Sequence, residues 1–355
     1  MQTNILEYLD VTAERVPDKL AFSNGPEGLT FRQVRDQARA AASGLLALGA
    51  EREPVVVFME RHPKMAAAFF SVVYAGCFYV PIDGEMPAFR VEMIFRQLKP
   101  RFVVCDGKTM ESARSLAPAE AQVLPYDQLA ASPVDPAGLD AVRRDALDTD
   151  PIYIVFTSGS TGIPKGVAAC HRSVLDYIEH LDEILGVTED TIFGNQTPLY
   201  FDACLKELYS TIRCGSTTYL IPKQLFSFPV KLVEYLNEYK INTVCWVVSA
   251  LTMISGFKVL DKHIPEYFHT VAFGSEVFPI KQFKLWRSAL PEARFINLYG
   301  PTEATGMSCW YEVDREFGDE EVLPIGRPFP NTGLLLLTED DRPAAPGEPG
   351  EICLR

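Results

Sequence analysis

Ile152-Tyr153-Ile154-Val155-Phe156-Thr157-Ser158-Gly159-Ser160-Thr161-Gly162-Ile163-Pro164-Lys165-Gly166 changes character after its fifth residue. The opening five are apolar and rich in β-branched and aromatic types, and a run without alternation suits a strand covered on both faces. The rest is small and hydroxylated and ends on Lys165-Gly166. A loop leaving the end of a sheet strand stands where ligands bind in open α/β folds. Small residues let backbone N–H groups approach an oxyanion, while the hydroxyls and Lys165 add donors and charge. This is phosphate-binding chemistry. It is not a Walker loop, in which glycine precedes the lysine and Ser or Thr follows it. A plain Gly/Ser turn is the alternative, and ten such residues opening from an apolar strand make it a minor one.

Outward from this stretch, helical stripes alternate with apolar strands. Val91, Ile94, Phe95 and Leu98 make one stripe, followed by a strand over 102–105. Val230, Val233, Leu236 and Tyr239 make another, before a strand over 243–248. Further apolar runs cover 55–58, 270–273 and 295–298. Strands alternating with amphipathic helices predict mostly parallel sheets in an α/β architecture. Residues 132–151, rich in Pro, Asp and Ala, read as a connection between two lobes. Residues 338–350 are polar and turn-rich between apolar runs at 333–337 and 352–354, which predicts a hairpin beginning a β-rich portion.

The 355 residues carry a net charge of −14 and no Lys/Arg cluster, which argues against nucleic acid as a partner. Eight cysteines without a CxxC pair read as free thiols of a reducing cytoplasm, with structural zinc a poor second. The first residues lack the pattern of a signal peptide. Residues 65–82 are uncharged and long enough to suggest a membrane span. Gly76 and Pro81 interrupt them, so a buried helix, a turn and a buried strand are expected instead, and no membrane partner.

A second loop, Asn297-Leu298-Tyr299-Gly300-Pro301-Thr302-Glu303, also follows a strand. Tyr299 can stack on a purine, Asn297 can pair with a base edge and Thr302 can donate to phosphate. Glu303 can hold Mg²⁺, which prefers a carboxylate and phosphate oxygens. Alone the run is an ordinary Gly-Pro turn; its weight comes from the first loop. None of five histidines stands in a nucleophile or metal arrangement, and His171 is read as orienting backbone.

Together these runs resemble the adenylate-forming superfamily of acyl-CoA synthetases, luciferases and amino-acid adenylation domains. Leu29-Thr30-Phe31 is similar to its early motif, and Ala75-Gly76-Cys77-Phe78-Tyr79-Val80-Pro81-Ile82-Asp83 to its "AGxAYVPID" signature. Phe201-Asp202-Ala203 resembles "FDxS", with Cys204 in the serine position; residues 297–303 resemble "NxYGPTE", and Gly350-Glu351-Ile352 the start of "GELxI". The resemblance implies the large N-terminal domain of that family over residues 1–355, with two stacked αβα-type subdomains over about 1–150 and 151–323. A small β-rich subdomain would begin over 324–355.

It also implies ATP and Mg²⁺, with Lys165, Thr302 and Glu303 as the catalytic set and Glu303 on the metal. The nucleotide would lie against Thr157, Ser158, Gly159, Ser160, Thr161, Gly162, the run Gly274-Ser275-Glu276, and residues 297–302.

The Val-Pro-Ile-Asp run and the Phe-Asp pair favour amino-acid activators within the superfamily. There Asp202 would hold the substrate's α-ammonium, an ion that must be paired when it leaves water. Ala203, Trp246, Phe273, Leu298 and Met307 would line the pocket, with plain core packing a substantial alternative for each, since Trp246 and Phe273 lie in strand-like runs. Bulky Trp246, Phe273 and Met307 favour a small amino acid. Lys206, where the family more often has an apolar residue, either neutralises Asp202 along a helix or reads a polar or acidic substrate side chain. The expected reaction is formation of an aminoacyl-AMP for the phosphopantetheine thiol of a carrier protein. Two settings fit: a nonribosomal peptide synthetase module or a D-alanine–carrier protein ligase. An acyl-CoA synthetase and a non-catalytic nucleotide-binding module are the alternatives. In the family a mobile C-terminal lid brings a lysine to the site and a "TGD" aspartate grips the ribose. The sequence ends at Arg355 before both, so efficient turnover by these residues alone is not expected.

Overall fold

The computed structural model describes residues 2–158 and 162–355. Two short strands open it, β1 (Leu20–Ser23) and β2 (Gly28–Thr30). Next come β3 (Pro54–Met59), β4 (Phe78–Asp83), β5 (Phe102–Cys105), β6 (Gln122–Pro125), β7 (Pro151–Ser158) and β8 (Pro164–Cys170). The second half supplies β9 (Ile192–Asn195), β10 (Thr217–Leu220), β11 (Thr243–Val247), β12 (Thr270–Gly274) and β13 (Arg294–Tyr299). It ends with β14 (Cys309–Glu312), β15 (Arg327–Pro328), β16 (Leu334–Leu337) and β17 (Glu351–Leu354).

These form a six-stranded sheet in the order β6-β5-β3-β4-β7-β8 and a nine-stranded sheet in the order β15-β14-β13-β12-β11-β9-β10-β1-β2. Pairing is parallel except at the margins, where β8, β14, β15 and β2 run antiparallel to their neighbours. β16 and β17 make the expected separate hairpin.

Alternation along a strand explains the layering. Val55 and Val57 of β3 join the core between the sheets, together with Phe69 and Phe70 of the helix Pro63–Tyr74, Phe193 of β9 and Tyr209. Val56 and Phe58 point the other way and meet Val91, Ile94 and Phe95 of the helix Ala88–Leu98. On the far face of the larger sheet, Val244, Val271 and Phe295 pack with Leu232, Val233 and Leu236 of the helix Pro229–Glu238. Helices thus cover both faces of both sheets, and the middle layer is shared. The uncharged stretch at 65–82 is a buried helix, a left-handed turn at Gly76 (φ 70°) and β4. No helix among the described residues is long and apolar enough to cross a membrane.

Two expectations are corrected. Residues 132–151 contain the helix Pro136–Asp145, started by Asp135, whose carboxylate accepts from the Gly138 amide at 3.1 Å, and by a proline in the first turn. This segment joins β6 to β7 within one sheet and does not link two lobes. Nor do the sheets divide at residue 150: β1 and β2 cross to the larger sheet, while β7 and β8 complete the smaller one.

Candidate active site

Parallel pairing brings the carboxyl ends of β9, β11, β12 and β13 to one side of the larger sheet, where ligands bind in such folds. Trp246 lies opposite Phe273, and Gly274 opposite Leu298. A Cβ on Gly274 would stand 2.3 Å from the Leu298 carbonyl oxygen, so only glycine permits this approach. Ala203, Lys206, Trp246, Phe273, Leu298 and Met307, all expected at the substrate, line one small cavity. Thr197, Cys245 and Val247 complete its wall, with Gly274 and Ser275, whose expected place is beside the nucleotide. Packing and lining are not exclusive here. The Trp246 indole is almost wholly buried and fixed by a 2.7 Å bond from Nε1 to the Gly194 carbonyl.

Asp202, also expected at the substrate, directly precedes Ala203 but is not itself among the residues lining this cavity. It opens the 3₁₀ turn Asp202–Cys204 that leads into the helix Leu205–Cys214, and it is half-buried. Burial pushes its carboxyl above the usual range, opposed by the Lys206 charge and the Thr302 hydroxyl. Burial raises the Tyr153 phenol of β7 well above its usual range, and the Asp202 charge adds to this. The expected helical i,i+4 pairing with Lys206 does not form. Asp202 stands in a 3₁₀ turn, and no ion pair joins the two among the described residues.

The first loop falls between the antiparallel strands β7 and β8, with Thr157 opposite Lys165 and Ser158 opposite Pro164. Gly159, Ser160 and Thr161 lie outside the described residues. Lys165 and Gly162 are exposed. The helix Ala88–Leu98 holds the hairpin, Arg90 donating to the Phe156 carbonyl at 3.0 Å and Gln97 to that of Pro164 at 2.9 Å.

In the second loop, a Cβ on Gly300 would lie 2.2 Å from the Gly306 carbonyl oxygen, and the Ser308 amide donates to the Tyr299 carbonyl at 2.7 Å. This closure projects Pro301, Thr302 and Glu303 outward, and Glu303 is exposed. Two residues expected at the nucleotide are already engaged: Asn297 donates to the Pro324 carbonyl at 2.8 Å, and Glu276 accepts from the Ser249 amide at 2.6 Å.

A family model described as "AMP-binding enzyme" matches residues 9–355. The chain belongs to the AMP-binding enzyme family. Among its relatives is the D-alanine–D-alanyl carrier protein ligase of Staphylococcus aureus (strain bovine RF122 / ET3-1). It is 30% identical over 340 residues, which are 96% of this chain and 67% of the ligase. The indigoidine synthase of Dickeya dadantii (strain 3937) is 31% identical over 99% of this chain, which spans 24% of that protein. A crystal structure of the nonribosomal peptide synthetase FmoA3 in its α-methyl-L-serine-AMP bound form shares the fold. Its TM-score is 0.87 at 22% identity, covering 99% of this chain and 39% of that one. VinN does likewise, with a TM-score of 0.82 at 22% identity over 99% of this chain and 87% of its own.

The geometry of this AMP-binding enzyme also brings forward residues that its sequence does not mark. Arg61, just past β3, is drawn down to about 10 by burial and bonds the carbonyls of Asn195 and Ile221. Glu207 is buried beside Lys206, and neither carboxyl oxygen has a hydrogen-bond partner among the described residues. Burial raises it to about 7, against the Lys206 charge. The one available signal for Arg61 and Thr197 is their position just beyond an apolar strand. The buried His171 accepts from the Ile5 amide at 3.1 Å through Nδ1, which is the backbone role expected of it. Burial lowers it to about 4. Among the described residues no cluster of three or more His, Cys, Asp or Glu could hold a metal.

Proposed function

We propose that this chain activates an amino acid as its aminoacyl-AMP, for transfer to the phosphopantetheine thiol of a carrier protein. A substrate carboxylate oxygen forms a bond to the α-phosphorus of ATP, and the bond to the departing pyrophosphate breaks. The observation that carries this reading is the convergence of Ala203, Lys206, Trp246, Phe273, Leu298 and Met307 on one small strand-end cavity, with Asp202 directly before Ala203 and the Thr302 hydroxyl of the projecting loop favouring its charged form. An α-ammonium at Asp202 would leave the substrate carboxylate free to face the nucleotide. Lys165 and Thr302 then supply charge and a donor to phosphate.

The residues fit a magnesium nucleotide. Glu303 is a single exposed carboxylate at the tip of the loop, and Mg²⁺ is held by one or two carboxylates plus substrate phosphates. Mg²⁺ there would offset phosphate charge. An alkyl chain suits the cavity poorly, because Lys206 lines it, and this weighs against an acyl-CoA synthetase. Free cysteines accord with a cytoplasmic setting. ATP–pyrophosphate exchange across amino acids and fatty acids tests the reading. Exchange driven by fatty acids and by no amino acid would overturn it.

A further inference from the structure

We propose that Lys206 and Thr197 select an amino acid with a short side-chain carboxylate, a reading that rests on the amino-acid activation argued above. Lys206 is 3% exposed and lines the cavity. Among the described residues its ammonium forms no ion pair and donates no hydrogen bond. Burying an unpaired ammonium is costly, and the natural compensation is an anion or a set of acceptors.

The Lys206 charge bears on both neighbouring carboxylates, but neither reaches ion-pair distance among the described residues. Asp202 forms no ion pair with Lys206 among the described residues, and in the proposed reaction it faces the substrate's own ammonium. Glu207 does not line the cavity, and burial pushes its carboxyl up to about 7 against the Lys206 charge.

Thr197 gives a second, independent observation. It is 4% exposed, lines the same cavity, and its hydroxyl has no hydrogen-bond partner among the described residues. An ammonium and a hydroxyl facing one small space are the donors that a carboxylate accepts from. Charge balance agrees: the substrate's ammonium meets Asp202, its α-carboxylate turns to the nucleotide, and a second carboxylate neutralises Lys206. Trp246, Phe273 and Met307 line the same small space, which favours a short side chain.

The test is ATP–pyrophosphate exchange by the protein carrying this chain, with both enantiomers of aspartate, glutamate, asparagine, glutamine and alanine, and with a fatty acid as control. Aspartate or glutamate should exceed its own amide by about tenfold or more in kcat/KM, as for loss of a hydrogen bond to a charged group. Lys206→Met should abolish that preference, and Thr197→Val should weaken it, with folding of each variant checked by thermal unfolding. Preference for an uncharged amino acid by the unaltered protein would overturn the selection while leaving amino-acid activation standing. Exchange with the fatty acid alone would overturn both. The unaltered protein decides the matter even if a variant misfolds.

Discussion

Arg61 of the smaller sheet donates through Nη2 to the Asn195 carbonyl of the larger sheet at 2.6 Å. With its bond to the Ile221 carbonyl, this guanidinium ties the ends of β3, β9 and β10 together. Replacing it with methionine leaves buried acceptors without their donor, at ~1–3 kcal/mol each. Arg61→Met is expected to lower the thermal midpoint. Because Thr197 lies two residues past Asn195, it should also raise KM for the amino acid more than KM for ATP. Thermal unfolding and exchange kinetics measure the two effects, and an unchanged midpoint would show that the tie carries no stability.

Asp202→Ala strands the substrate's ammonium in a partly buried site. Breaking a buried charge pair costs ~3–5 kcal/mol, and partial exposure of Asp202 places the expected effect at the lower end. Amino-acid affinity should fall by roughly a hundredfold while nucleotide affinity is largely kept. Calorimetric titration with each ligand checks this, and equal losses for both would point to collapse of the site.

At Gly300 the obstacle is steric. A Cβ would stand 2.2 Å from the Gly306 carbonyl oxygen, so Gly300→Ala must open the loop that carries Thr302 and Glu303. Nucleotide binding should weaken at least tenfold, since that loop presents a donor and a carboxylate to the phosphates. Binding of ATP with and without Mg²⁺ reads the change. An alanine variant that binds magnesium nucleotide normally would remove this loop from the site.

Glu207 makes a pH prediction. Its carboxyl is raised from the ordinary range to about 7, so the folded protein keeps a proton that the unfolded chain loses above its ordinary pKa near 4.5. The folded state is therefore favoured below pH 4.5, and that contribution is lost as pH rises through about 7. Glu207→Gln abolishes this loss. The variant should gain up to ~3 kcal/mol relative to the original protein at pH 8 and little at pH 5. Unfolding curves at the two pH values test it, and equal differences at both would refute a buried protonated acid.

Much of this arrangement is legible in the sequence because burial on both faces leaves unbroken apolar runs. That is why β3, β5, β7, β12 and β13 stand out from their residues alone. The cavity is legible because its residues fall at strand ends or at fixed offsets in the motifs, and Ala203, Lys206, Trp246, Phe273, Leu298 and Met307 do converge. The partition of strands is not legible, since nothing in Ala21-Phe22 or Ile152-Tyr153 states which sheet will receive them. The helix Pro136–Asp145 is hidden because its proline and aspartates also suit a linker. Arg61 and Glu207 are hidden because a charged residue is ordinarily solvated, and only the meeting of two sheets half-buries the one and buries the other.

The crossing of β1 into the larger sheet bears on how the chain is made. Phe22 lies opposite Thr218, so this strand's parallel partner emerges from the ribosome nearly two hundred residues later. At ~5–20 residues per second, that is a wait of roughly 10–40 s. During it the buried faces of Ala21 and Phe22 have no β10 to close over them. The first half of the chain therefore cannot finish as an independent unit during translation. The nascent protein passes through an interval in which an apolar hairpin is open to chaperones, or to the same hairpin on a neighbouring ribosome.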